Sequence, residues 1–139
     1  MTWFYWALAS AVFAGLTAVL AKAGVRQVDA TLASALRCSV AVIFSWVLVW
    51  WSVPAGSWKN VGPRSLLFIT LSGLATGASW LCYFRALQSG PVSRVAPIDK
   101  LSVVVAVLLS MLFFGEKLHS RDFIGVGLIA AGAVLMALR

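Results

Sequence analysis

The apolar positions of this chain fall into five long runs. Each reads as a membrane-spanning helix, at about 3–21, 30–51, 65–87, 96–114 and 122–138. At ~1.5 Å of rise per residue, runs of roughly 17–25 residues cross a hydrocarbon core of about 30 Å. The connections hold the breakers and most of the charge. Lys22, Arg26 and Asp29 lie in the first, and Pro54, Gly56, Lys59, Gly62, Pro63 and Arg64 in the second. Gly90, Pro91 and Arg94 mark the third, and Gly115, Lys117 and Arg121 the fourth. Aromatic residues gather at run ends, where the headgroups lie: Trp3, Phe4, Tyr5 and Trp6, then Trp46, Trp50 and Trp51.

Inside the runs, small and polar residues recur at helical spacing. Ser10, Ala14, Thr17 and Ala21 form one small face of the first span. Ser72, Thr76, Ser79 and Tyr83 form a polar stripe on the third, beside the GxxxG pair Gly73 and Gly77. Asp99, Ser102, Ala106 and Ser110 predict a shared face on the fourth. The fifth carries Gly125, Gly127, Ala130, Ala131, Gly132 and Ala133, a composition suited to close helix contact.

The fourth span is the one around which the chemistry is arranged. It is expected to open on Pro97, with Asp99 and Lys100 barely a turn inside. Fourteen uncharged residues follow, from Leu101 to Phe114, and it closes on Gly115, Glu116 and Lys117. A charge at the membrane centre costs at least ~2.5–3.5 kcal/mol, so Asp99 and Lys100 either reach an interface or face a polar cavity. The two point about 100° apart on a helix and are not expected to pair with each other.

Arg37, seven residues into the second span and so roughly 10 Å down its axis, and Arg85 and Arg94 lie towards the same side. Two readings stand. In one, these residues line a polar vestibule where Asp99, held by Arg37 or Arg85, binds or releases a cation or proton. In the other, Arg37 and Asp99 are a buried structural pair while Arg85, Arg94 and Lys100 extend to the interface. Glu116 is a second candidate for proton coupling, or an interface ion pair with Lys117, Arg121 or a neighbouring subunit. The helix macrodipole disfavours an anion there without such a partner. Trp80 is either a stacking platform for substrate or packing, and the stripe containing Tyr83 either lines a pathway or joins helices.

Composition narrows the class. The chain is 62% hydrophobic with only 15 charged side chains, too apolar for a soluble domain. Its net charge of +7 does not read as a nucleic-acid footprint, because the basic residues are scattered singly between apolar runs. Cys38 and Cys82 fall inside spans without metal-ligand spacing, and His119 sits in a loop with no partner in sequence. No metal, cofactor or catalytic constellation is expected. No basic region precedes the first span, so it does not read as a cleaved signal peptide, and no internal repeat is visible.

An odd number of spans puts the two ends on opposite sides. Loops on the N-terminal side carry Lys59, Arg64, Lys117 and Arg121; those opposite carry Lys22, Arg26, Arg94 and Arg139. Four against four is a weak orientation signal, leaning to the second side in the cytoplasm once Arg85 and Lys100 are added. Such a balance permits insertion both ways.

Four segments are specific enough to carry a resemblance: YFRALQ ending the third span, VAPIDKLSVVV, FFGEKL, and the closing GVGLIAAGAVLMAL. Together they resemble an EamA domain of the drug/metabolite transporter superfamily, over nearly the whole chain. The resemblance implies an all-α five-helix bundle, one half of the usual ten-helix inverted-repeat transporter. It also implies a multi-pass protein of the inner membrane exporting a small polar or amphipathic metabolite. With one repeat, the resemblance implies a dimer, antiparallel if the inverted architecture is reproduced. Small multidrug resistance transporters are a more distant likeness, but their first-span glutamate has no counterpart here. The alternative is a non-transporting subunit or flippase partner of another membrane protein.

Overall fold

A computed structural model describes residues 2–57 and 61–138, so Lys59 and Arg139 lie outside the described residues. The helices are α1 (Thr2–Gly24), continued by a 3₁₀ turn (Val25–Gln27), α2 (Ala30–Ser52), α3 (Pro63–Ser89), α4 (Val92–Asp99), α5 (Ser102–Phe114) and α6 (Ser120–Ala137). Five stretches are long and apolar enough to cross a membrane: Thr2–Gln27, Ala30–Ser52, Pro63–Ser89, Val92–Phe114 and Ser120–Ala137. The protein is therefore an all-α, multi-pass membrane protein. Its outward side chains fit that setting: Leu112, Phe113 and Phe114 are 77%, 74% and 81% exposed, a surface that lipid accepts and water does not.

The ends of the helices follow from local chemistry. Asp29 caps α2, its Oδ1 accepting from the N–H groups of Thr31 (2.8 Å) and Leu32 (3.2 Å). Pro63 opens α3, where its missing N–H costs nothing. Gly115 ends α5 in the left-handed region (φ 64°) that favours glycine. At α6 the carboxylate of Asp122 accepts from the backbone N–H of His119 (2.8 Å). Helix α6 thus begins two residues earlier than the pattern predicts, because His119 is its cap.

The fourth span departs further from expectation. It starts at Val92, capped by Pro91, so Pro97 lies inside the helix rather than at its opening. A proline there donates no N–H, and its ring crowds the carbonyl four residues back. Shortly after it the ladder tightens to i→i−3 bonds: Lys100 to Pro97 (3.1 Å), Leu101 to Ile98 (3.0 Å) and Val103 to Lys100 (3.0 Å). Asp99 therefore closes α4 and Ser102 opens α5. The predicted face Asp99–Ser102–Ala106–Ser110 is interrupted after its first member, with Ser102 and Ala106 exposed.

The chain forms two compact units, Ala21–Gln88 and Met1–Leu20 with Ser89–Arg139. In the second, α4 packs along α6, and α5 touches the same helix. Val126, Ala130, Ala133 and Ala137 are the covered residues of α6, spaced 4, 3 and 4, with Ala133 buried. Gly125, Gly127 and Gly132 instead face open space, so alanine, not glycine, makes the contact within the chain. On α1, Ala18 is buried while Ser10 and Ala14 are exposed.

Candidate functional site

Within the Ala21–Gln88 unit, α2 and α3 meet near the start of one and the end of the other. Helix α2 brings Ala30, Ser34, Arg37 and Ala41 onto one face at spacing 4, 3, 4, and Ala30 and Ser34 are buried. Helix α3 brings Trp80, Phe84 and Leu87, with Phe84 and Leu87 buried. Two polar ties hold the same end: the Lys22 ammonium donates to the carbonyl of Leu87, and Gln88 Nε2 donates to the carbonyl of Val28 (2.9 Å). Lys22 so meets the negative end of the α3 dipole.

Arg37 lies over this shelf. Its guanidinium carbon is 4.0 Å from the centroid of the Trp80 ring and 5.8 Å from that of Phe84. Among the described residues it makes no ion pair and no hydrogen bond. The magnitudes show why this matters. A charge deep in a bilayer costs ~2.5–3.5 kcal/mol or more, less near an interface. A cation over tryptophan recovers about 0.5–2 kcal/mol. The ring offsets part of the cost and leaves five N–H donors open. The site is a half-buried cation on an aromatic support, with no carboxylate paired to it among the described residues.

The other predicted residues distribute as follows. Tyr83 and Arg85 share α3 with Trp80; Tyr83 is half-buried and Arg85 exposed. Arg85 is close enough to contribute, as the smallest of several causes, to holding the Asp29 carboxyl below its ordinary value. The main cause is the pair of cap hydrogen bonds from Thr31 and Leu32. In the other unit, Asp99 lies 3.4 Å from the Lys100 ammonium, and both are substantially exposed. These neighbours do pair, against expectation, because the turn at Lys100 breaks the helical phase and the long lysine side chain reaches back. Glu116 is exposed and lies beyond the Gly115 cap in the α5–α6 connection, not in the last turn of the helix. Thr76 of the polar stripe donates its hydroxyl proton to the carbonyl of Ser72 on its own helix (2.9 Å).

Three contributors were not singled out from sequence: Phe84, Ser34 and Lys22. The spacing of Trp80, Phe84 and Leu87 (4, then 3) marks an inward face and is the signal that points to Phe84. Lys22 reads as a loop charge until the end of α3 is placed beside it.

Comparison with known proteins gives a consistent picture. The profile of the EamA-like transporter family matches residues 1–138. A Sinorhizobium protein named "uncharacterized transporter in cobO 3'region" is 48% identical over 98% of this chain and 96% of its own length. The uncharacterized transporter YvbV of Bacillus subtilis is 31% identical over 94% of this chain, which spans only 43% of that relative. An Aeromonas hydrophila protein is 32% identical over 65% of this chain and 76% of its own length. Its name is probable 4-amino-4-deoxy-L-arabinose-phosphoundecaprenol flippase subunit ArnE. No solved structure matches.

Proposed function

Because this chain belongs to the EamA-like transporter family and is a multi-pass membrane transporter, we propose that it exports a small polar or amphipathic metabolite across the inner membrane as a dimer. The observation that carries this reading is Arg37, held over Trp80 with its donors open inside an otherwise uncharged span. We assign substrate contact to Arg37, Trp80 and Tyr83. The Asp99–Lys100 pair, Arg85 and Glu116 are the candidates for coupling and for the pathway entrance. A dimer is supported by Gly73 and Gly77 of α3, where among the described residues a Cβ would meet nothing within 4 Å, leaving room for another helix to approach.

The test is flux in proteoliposomes. Asp99→Asn is expected to insert and assemble normally while altering flux or flattening its pH dependence. Wild-type flux of every candidate substrate in that variant counts against a coupling role for Asp99.

The ArnE relatives favour a second reading, in which the chain is a subunit working with a different membrane protein. Crosslinking in native membranes separates the two. Recovery of self-pairs alone removes the second reading; a stable heterologous pair, with no flux from the isolated chain, removes the first.

A further inference from the structure

We propose that the Arg37–Trp80 shelf is an oxyanion site, so that the solute carries a carboxylate or phosphate group on an organic body; this rests on the transporter reading. Three observations carry it. Arg37 has no counter-anion among the described residues, and the acids nearest in sequence are committed elsewhere: Asp29 caps α2 and Asp99 pairs with Lys100. Its guanidinium carbon lies 4.0 Å from the Trp80 ring centroid, and because that contact is made through charge rather than a hydrogen bond, it consumes none of the five N–H donors. And Phe84, the second ring against Arg37, and Ala30 and Ser34, on the same face of α2, are buried while Arg37 is only half-buried, so the cation keeps an accessible rim. A planar fork of donors with nothing to donate to matches a two-oxygen anion, binds a neutral hydroxyl more weakly, and does not match an ammonium. The aromatic support fixes the fork before a ligand arrives, reducing the ordering that binding requires.

The same chemistry could be met by an aqueous solute or by a lipid phosphate, and the experiment has an arm for each. The full chain in phosphatidylcholine nanodiscs is titrated with benzyl phosphate, benzoate, benzylamine and benzyl alcohol, with binding read by calorimetry. Benzyl phosphate and benzoate are expected to bind and the amine and alcohol to bind at least tenfold more weakly. Arg37→Lys keeps the charge and the fold but not the fork, and is expected to weaken benzyl phosphate about tenfold. Arg37→Gln is expected to abolish the preference for anions. Doping the discs with phosphatidic acid separates the sources: displacement of benzyl phosphate identifies a lipid headgroup, and indifference an aqueous anion.

Equal binding of benzylamine and benzyl phosphate overturns the proposal. So does unchanged benzyl phosphate affinity in folded Arg37→Lys, which decides the matter even if Arg37→Gln does not fold. Failure of the transport reading looks different: Arg37-dependent anion binding persists without flux of any solute. Flux of a cationic or neutral solute that Arg37→Gln leaves intact has the opposite meaning, retaining transport and removing the site.

Discussion

At the scale of single residues, Arg37 sets a test of what its charge is for. A structural arginine contributes stability, and its removal is destabilising because partners are stranded. Among the described residues Arg37 has aromatic partners only, and these are not stranded when it goes. Arg37→Met, which keeps the apolar stem and removes the buried charge, is therefore expected to leave stability equal or raised by about 1 kcal/mol. Reversible unfolding in mixed micelles measures it; a loss of 2 kcal/mol or more identifies a structural residue instead. The position and depth of Arg37 were legible in the sequence, as was Trp80. Their contact was not, because the register between α2 and α3 depends on how the 53–62 connection folds. Face spacing states which residues look inward, not which ones meet. Asp29 supports a second test. Its cap hydrogen bonds hold its carboxyl below the ordinary aspartate value of 3.8. A group depressed in the folded state stabilises fully above its unfolded value, and that contribution fades as pH falls through the folded one. Amide protection at Thr31 and Leu32, corrected for intrinsic exchange, is expected to drop in acid below the ordinary carboxylate range. Asp29→Asn, which still offers a cap oxygen, is expected to hold its protection over that range.

At the scale of elements, the fourth span shows where pattern reading stops. Its apolar run and its charges are legible in the sequence, but the pattern predicts the proline at the opening of the helix. Helix propensity places proline in a first turn, and here Pro91 already serves the start, leaving Pro97 in the interior. The consequence is a phase break that brings Asp99 and Lys100 together and separates both from the serine and alanine face of α5. Pro97→Ala restores an N–H at that position. It is expected to extend α4 into α5 as one helix, about 33 Å from Val92 to Phe114 at ~1.5 Å per residue. Spin labels at the exposed positions Arg94 and Leu112 are then expected to move apart, by double electron–electron resonance, and the Asp99–Lys100 pair to be lost. An unchanged distance would mean that packing of α4 on α6, rather than the proline, imposes the break. The α6 small-residue pattern was equally legible, but which of its faces packs within the chain was not. Ala130 and Ala133 lie on the covered face, and Gly125, Gly127 and Gly132 are exposed. Composition names a helix that can approach others closely, and only three-dimensional placement says which side does so.

At the scale of the whole molecule, the balance of basic residues leads to the last prediction. With four loop cations on each side, neither orientation is strongly favoured. If the proposed dimer is antiparallel, a population inserted both ways is required for assembly. In a background without Cys38 and Cys82, Ser120→Cys, which leaves the loop cations untouched, is expected to label from both faces of intact cells with an impermeant thiol reagent. The charge balance then becomes a control. Arg26→Gln with Ser57→Lys shifts the loop count to five against three, and Arg64→Gln with Gln27→Lys shifts it the other way. Each pair is expected to drive labelling to one face and, alone, to reduce self-crosslinking through the Gly73–Gly77 face of α3. Co-expression of the two oppositely biased forms is expected to restore crosslinking, because it supplies the two orientations on separate chains. One-sided labelling of the unbiased protein would leave a parallel assembly or a different partner chain. Restored crosslinking on co-expression is the outcome that a parallel dimer cannot produce, since its two copies gain nothing from being inserted in opposite directions.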